Sequence, residues 1–220
     1  MEDLIFDFSA CDPYCAKERQ DAFAHNLIGN DGFFYDFGCE WADGSRNIAD
    51  GIKQGNNTLA LERNFNWSGI LFDINQFGGA CGRSKSKFFR IDLSQEIDRL
   101  KEILNENTPT KTVDYVSIDT AANATTPPIQ AMFDCDIEFK VMTLEHDLYG
   151  GHIDQQLIRK ESRQLLSDNN YLLLFGDVCL ADGSPWEDWW VNPKFFNKDI
   201  TSLKEDSIYF EDCIRKLRSV

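Results

Sequence analysis

Four acidic residues stand at or beside the ends of apolar, strand-like segments: Asp36, Asp73, Asp92 and Asp119. Carboxylates gathered at one sheet edge repel one another and lose hydration, so four in succession point to a ligand edge, although any one can simply cap the helix that follows. The first opens the turn Asp36-Phe37-Gly38-Cys39-Glu40-Trp41-Ala42-Asp43-Gly44. Gly38 has no side chain to obstruct a ligand's approach to the backbone. The phosphate loop G-x-x-x-x-G-K-[ST] and the full G-x-G-x-x-G are both missing, and an acid beside a pyrophosphate is badly placed. It suits a positive amino group or a sulfonium. Asp73 offers two acceptor oxygens to the hydroxyls of a ribose; Asn75 just past it, and Asp43 in the turn, join the candidate ligand set. Asp92 can accept from an adenine amino group, with Ile91 and Leu93 flanking the ring. A nucleoside with a cationic tail fits these positions, and NAD, which uses the second acid in the same way, stays open.

For a general base the first candidate is His146, flanked by Glu145 and Asp147. A neighbouring carboxylate orients an imidazole and raises its pKa; the alternative is a structural histidine bonded to a loop carbonyl. Asp119 is the second candidate. His146, Asp147 and His152 with Asp119 have the types to hold a divalent ion, but nothing in their spacing demands one, so no metal site is assigned. Trp186, Trp189 and Trp190 can wall a sugar ring or form the core of an edge strand.

These residues need a frame. Strand-like segments run at 33–37, 69–74, 88–92, 113–119, 139–145 and 171–175, with 187–191 as a short seventh that closes the sheet. Helical patterns fall at about 56–66, at 95–105 with Ser94 as its N-cap, and at about 154–168. Strands separated by helix-length segments predict an α/β fold: a mostly parallel central sheet with helices on both faces, binding ligands at the carboxyl ends of its strands.

The 220 residues suit a single domain, with 1–30 as an N-terminal extension, 31–193 as the core and 194–220 as a C-terminal segment. A net charge of −15, from 22 basic and 37 acidic residues, repels phosphate backbones and anionic membranes. Nucleic acid and membrane are therefore not expected partners. Seven scattered cysteines, an acidic Met1-Glu2-Asp3 start and no apolar run of spanning length fit free thiols in the cytoplasm.

Several segments also resemble, in order, the FkbM-type methyltransferases. Asn57-Thr58-Leu59-Ala60-Leu61-Glu62 followed by Asn66-Trp67-Ser68-Gly69 and the strand to Asp73 is similar to that family's S-N-T-x-x-L-E and G-W-x-G segments. Asp36 to Gly44 is similar to its D-x-G-x-x-D-G turn. The segments ending Ile118-Asp119-Thr120 and Thr143-Leu144-Glu145-His146, and the run Pro185 to Pro193, also find counterparts there. The resemblance implies a Rossmann-like class I methyltransferase fold with S-adenosylmethionine as cofactor. It further implies O-methylation of a sugar or similar small hydroxyl compound. Carried over, Asp36 and Gly38 line the methionine end, Asp73 holds the ribose, Asp92 sits near the adenine and Asp119 lies beside the methyl group. Methyltransferases of this size often pair, so a homodimer is allowed for. Where the family reads D-x-E-G-x-E, this chain has Asp119-Thr120-Ala121-Ala122-Asn123-Ala124. That difference keeps a catalytically impaired cofactor-binding protein as an alternative, beside the NAD-dependent oxidoreductase.

Overall fold

A computed structural model describes residues 13–39, 46–47, 53–54, 56–75, 83–196 and 200–219. Aromatic and β-branched segments build an eight-stranded sheet in the order β10-β8-β9-β7-β6-β1-β4-β5. Its strands are β1 (Phe33–Phe37), β4 (Ser68–Asp73), β5 (Ser86–Arg90), β6 (Thr112–Ile118), β7 (Glu138–Glu145), β8 (Leu172–Cys179), β9 (Pro185–Val191) and β10 (Glu205–Asp206). β2 (Arg46–Asn47) and β3 (Lys53–Gln54) form a separate two-stranded ladder. All pairings in the large sheet are parallel except those of β9, which runs antiparallel to both β7 and β8.

Side chains alternate between faces along β1. Tyr35 and Phe37 join a core with Leu100, Ile103 and Leu104 of α3 (Ile97–Asn107), Ile129 and Met132 of α4 (Thr126–Asp134), and Leu166 of α5 (Ile153–Asp168). Phe34 joins the opposite core with Phe23 of α1 (Gln20–Ile28), Leu61 of α2 (Leu59–Phe65) and Cys213 of α6 (Phe210–Arg218). Helices thus cover both faces of a mostly parallel sheet. Among the described residues no helix is long and apolar enough to cross a membrane.

Several expectations are corrected. The third strand ends at Arg90, so Asp92 lies two residues past it in a turn. That turn also displaces the helix start: α3 begins at Ile97, and Ser94 donates to Asp92 instead of capping the helix. β9 does not close the sheet but sits inside it, which makes Trp189 and Trp190 fully buried interior residues rather than an edge. Residues 20–28, assigned above to an extension, are α1, whose Phe23 packs on Trp189 with ring centroids 4.6 Å apart. The 194–220 segment supplies β10 and α6. α4 was not anticipated, although Pro127 and Pro128 in its first turn are a recognised helix-start signal.

Candidate functional site

The strand order reverses between β1 and β6, the position at which open α/β sheets part their loops and leave a crevice. A cavity of about 340 Å³ opens there, at the carboxyl ends of the strands. Gly38, Asp73, Asn75, Asp92, Leu93 and Asp119, six residues singled out from sequence, all line it. Sequence reasoning did not name the other lining residues as ligand contacts: Ile74, Ser94, Thr120, Ala121, Asn123 and Ala124. Their signal was positional, because each follows a strand that ends at this edge. Ile74, Ile91, Leu93 and Ala124 give the cavity apolar surface, and among the described residues Ile74 is 55 % exposed.

Each lining acid has its own setting. Asp73 terminates β4 and accepts a hydrogen bond from the Asn75 backbone N–H (2.8 Å), which fixes its carboxylate at the cavity wall. Its pKa is raised, chiefly by burial. Asp92 accepts from both the backbone N–H (2.9 Å) and the hydroxyl (2.7 Å) of Ser94, bonds that hold its pKa below the usual range. Asp119 follows β6, is exposed, and anchors its backbone N–H on the Phe37 carbonyl at 2.9 Å. Gly38 has φ +83°, and a methyl group there would overlap the Asp119 carbonyl oxygen. The glycine is therefore demanded first by the crossing of two chain segments, and only then by access for a ligand.

Asp36 lies elsewhere. It is 1 % exposed and not in the cavity lining. Its Oδ2 accepts from Thr58 Oγ1 (2.6 Å) and Asn56 Nδ2 (2.9 Å). Arg83 in turn donates to the Thr58 carbonyl (3.0 Å) and to Asn56 Oδ1 (2.5 Å). Burial raises the Asp36 pKa to about 6, against the pull of Thr58 and Arg83. Asn57 donates to Ser117 Oγ (3.0 Å), and Glu62 accepts from the backbone N–H groups of Ser84 (2.6 Å) and Lys85 (3.0 Å). The Asn57-Thr58…Glu62 segment is thus a clamp that ties the end of β1 to β6 and to the loop before β5. Asp43 and the Gly78-Gly79 turn lie outside the described residues.

His146 also turns away from the cavity. It is 3 % exposed, and its Nδ1 accepts from the Leu148 backbone N–H at 3.2 Å, which leaves the proton on Nε2. Nε2 faces Asp177 Oδ1 at 3.5 Å and Asp188 Oδ1 at 3.6 Å, too far for a good hydrogen bond but close enough for attraction. Burial lowers its pKa, and the two carboxylates more than offset this, so the net direction is upward. Among the described residues this trio also has its ligand atoms near enough for a metal ion. Both carboxylates already hold guanidiniums: Arg163 is bidentate on Asp188 (2.7 and 2.6 Å), and Arg159 takes Asp177 through Nε at 2.7 Å and through Nη2. A balanced ion-pair network of this kind is structural, and a cation has no charge left to neutralise there. His152 stands apart from it, exposed at the N-cap of α5.

Beyond Asp119 the sheet edge stays acidic. Glu145 ends β7 and is 9 % exposed; burial, then Asp119 and Asp147 beside it, push its pKa far up. Glu187 of β9 pairs directly across from Glu145 and is 2 % exposed.

No model of a known protein family matches this chain, and no curated protein matches it.

Proposed function

We propose that the chain is an S-adenosylmethionine-dependent methyltransferase of the class I type, acting on the oxygen of a small hydroxyl compound. The observation that carries this reading is the convergence of Asp73, Asp92 and Asp119 on one cavity at the reversal of strand order. Asp73 is suited to a ribose diol, the apolar group around Ile91 and Leu93 to an adenine ring, and Asp119 to the cationic sulfonium end. The oxidoreductase alternative is disfavoured by the chemistry of this edge. A pyrophosphate needs donors, and acids stand where a glycine-rich cradle would be required.

Methyl transfer asks mainly for positioning and for removal of one proton. The acceptor oxygen attacks the methyl carbon in line with the C–S bond, and that bond's electron pair returns to sulfur. The sulfonium becomes the neutral thioether of S-adenosylhomocysteine, and the acceptor proton passes to a carboxylate. Asp119, exposed to the cavity, is suited to that role, whereas His146 is committed to its ion pairs. The binding-only alternative rests on Ala121 and Ala124, which line the cavity without polar side chains. Incubation with S-adenosylmethionine and a panel of sugars and other small alcohols tests the reading. Mass-matched methylated product together with S-adenosylhomocysteine is expected; cofactor binding without product for any acceptor would favour the binding-only alternative.

A further inference from the structure

In the proposed reaction Asp119 takes the acceptor proton, and the fold sets a second carboxyl against it. Ile118 of β6 pairs with Leu144 of β7, so Asp119 and Glu145 stand side by side one residue further on. Their settings differ. Asp119 is exposed and lines the cavity, whereas Glu145 is 9 % exposed and lies outside the lining. The Glu145 side chain is hydrogen-bonded to those of Asp119 and Asp147. Ionised carboxylates are acceptors only, so a bond between two carboxyl groups requires that one of them carry a proton.

Burial decides which one. Loss of hydration disfavours the charged form, so the proton rests on the buried Glu145, and the acids beside it work in the same direction. Among the described residues the groups that face Glu145 are acids and one phenol. Asp119 comes from β6, Asp147 and Tyr149 follow β7, and Glu187 lies opposite on β9. Lys17, whose ammonium lies over the Trp186 ring, is paired with Glu18 at 3.0 Å. His146, next in the chain, faces Asp177 and Asp188 instead. A neutral carboxyl has one O–H to give, and two carboxylates compete for it. Asp147 has another donor in the Tyr149 hydroxyl. The Asp119 side chain has no other donor among the described residues; it is the Asp119 backbone N–H that is bonded to the Phe37 carbonyl.

We propose that Glu145 is a positioning residue for methyl transfer: it stands neutral behind Asp119 and donates its O–H to one carboxylate oxygen, which leaves the other oxygen turned to the cavity. Its part in turnover rests on the methyltransferase reading. The pair then carries one negative charge rather than two, opposite the single positive charge of a sulfonium. The proton released by the acceptor goes to the free oxygen of Asp119, and Glu145 keeps its own.

Infrared difference spectra of the full chain without cofactor, each taken against the same chain carrying Glu145→Gln, read this carboxyl directly. A carbonyl band of a protonated acid is expected, unchanged between about pH 5 and pH 9. It should move to higher frequency in Asp119→Ala, which removes the acceptor of the O–H, and stay in place in Asp147→Ala. A carboxylate band for Glu145 at neutral pH overturns the proposal. So does a band that leaves its place in Asp147→Ala, or keeps it in Asp119→Ala. Turnover gives a second reading. Glu145→Leu has no donor for Asp119 and should lose at least about tenfold in kcat, with KM for S-adenosylmethionine within about threefold of wild type. Glu145→Gln restores a donor and should recover kcat to within about threefold of wild type. Equal turnover per folded molecule in the two variants, whether high or low, overturns the proposal. Absence of methylated product with every acceptor is a separate result: it sinks the methyltransferase reading and leaves the infrared bands to decide the state of Glu145.

Discussion

Gly38→Ala tests the geometry that holds Asp119 at the cavity, and the molecule contains its own control. Gly38 and Gly183 share a backbone φ of +83°. A methyl group on Gly183, in the turn between β8 and β9, would meet nothing within 4 Å. On Gly38 it would overlap the Asp119 carbonyl oxygen and stand 2.7 Å from the carbonyl carbon and 3.0 Å from Thr120 Cγ2. Both substitutions incur the left-handed penalty of about 1–2 kcal/mol. Gly38→Ala alone must also push the chain after β6 away by roughly 1.5 Å before the Asp119 carbonyl oxygen reaches ordinary contact, and overpacking of that kind costs about 1–3 kcal/mol. Urea unfolding of both variants isolates the second term. Gly183→Ala should lose about 1–2 kcal/mol and Gly38→Ala about 2–5 kcal/mol. A domain of this size loses roughly 2–4 °C of Tm for each kcal/mol, so calorimetric melting should separate the two variants as well. Because Asp119 moves with the displaced chain, Gly38→Ala should also weaken S-adenosylhomocysteine, whereas Gly183→Ala should not. If the two variants unfold within about 0.5 kcal/mol of each other and bind alike, the close crossing does not build the site.

Three further outcomes follow from the same structure. Thr58→Val removes the hydroxyl donor to a buried carboxylate and should cost about 1.5–3 kcal/mol by urea unfolding; Asn57→Ala, whose partner is the neutral Ser117 hydroxyl, should cost less. Asp36, raised to about 6, and Asp21, also raised to about 6 by burial, favour their protonated forms in the folded chain. Their contribution is complete below the unfolded value near 4 and is lost as pH rises through 6, so Asp36→Asn should flatten the unfolding curve over that window. His146 shifts upward too, so its contribution is complete below about 6.5 and is lost as pH rises through its folded value. His146→Ala should therefore be most destabilising at acid pH. It should leave the turnover per folded molecule within about threefold of wild type, and a loss of a hundredfold or more, the scale of a removed general base, would restore it as the base.

The strands that build the cavity were readable because each carries a local signal: an aromatic or β-branched run closed by an acid. Their carboxyl ends align by a general rule about parallel sheets, so the sequence alone places Asp73, Asn75, Asp92, Leu93 and Asp119 at the one edge where they line the cavity. What escaped depends on partners distant in the chain. Asp36 reads as a ligand acid until Asn56 and Thr58, some 20 residues later, occupy its carboxylate. His146 reads as a base until α5 brings Arg159 and Arg163 against the two aspartates it faces. β9 was visible as a strand, but its direction and its place between β7 and β8 are set by pairing, not by composition. Glu187 gains its meaning only from that placement, because register with Glu145 puts two buried acids side by side.

The central claim is that the edge cavity holds S-adenosylmethionine through Asp73. Isothermal titration of the full chain with S-adenosylhomocysteine and with NAD, repeated for Asp73→Ala, tests it most directly. Two hydrogen bonds to a charged acceptor are worth about 3 kcal/mol or more together, a factor of at least about 100 in affinity. The account predicts one-to-one binding of S-adenosylhomocysteine to the wild type, a loss of that size in Asp73→Ala, and no heat with NAD. Binding of NAD in place of the sulfur nucleoside, or an affinity for S-adenosylhomocysteine that Asp73→Ala leaves unchanged, would contradict it.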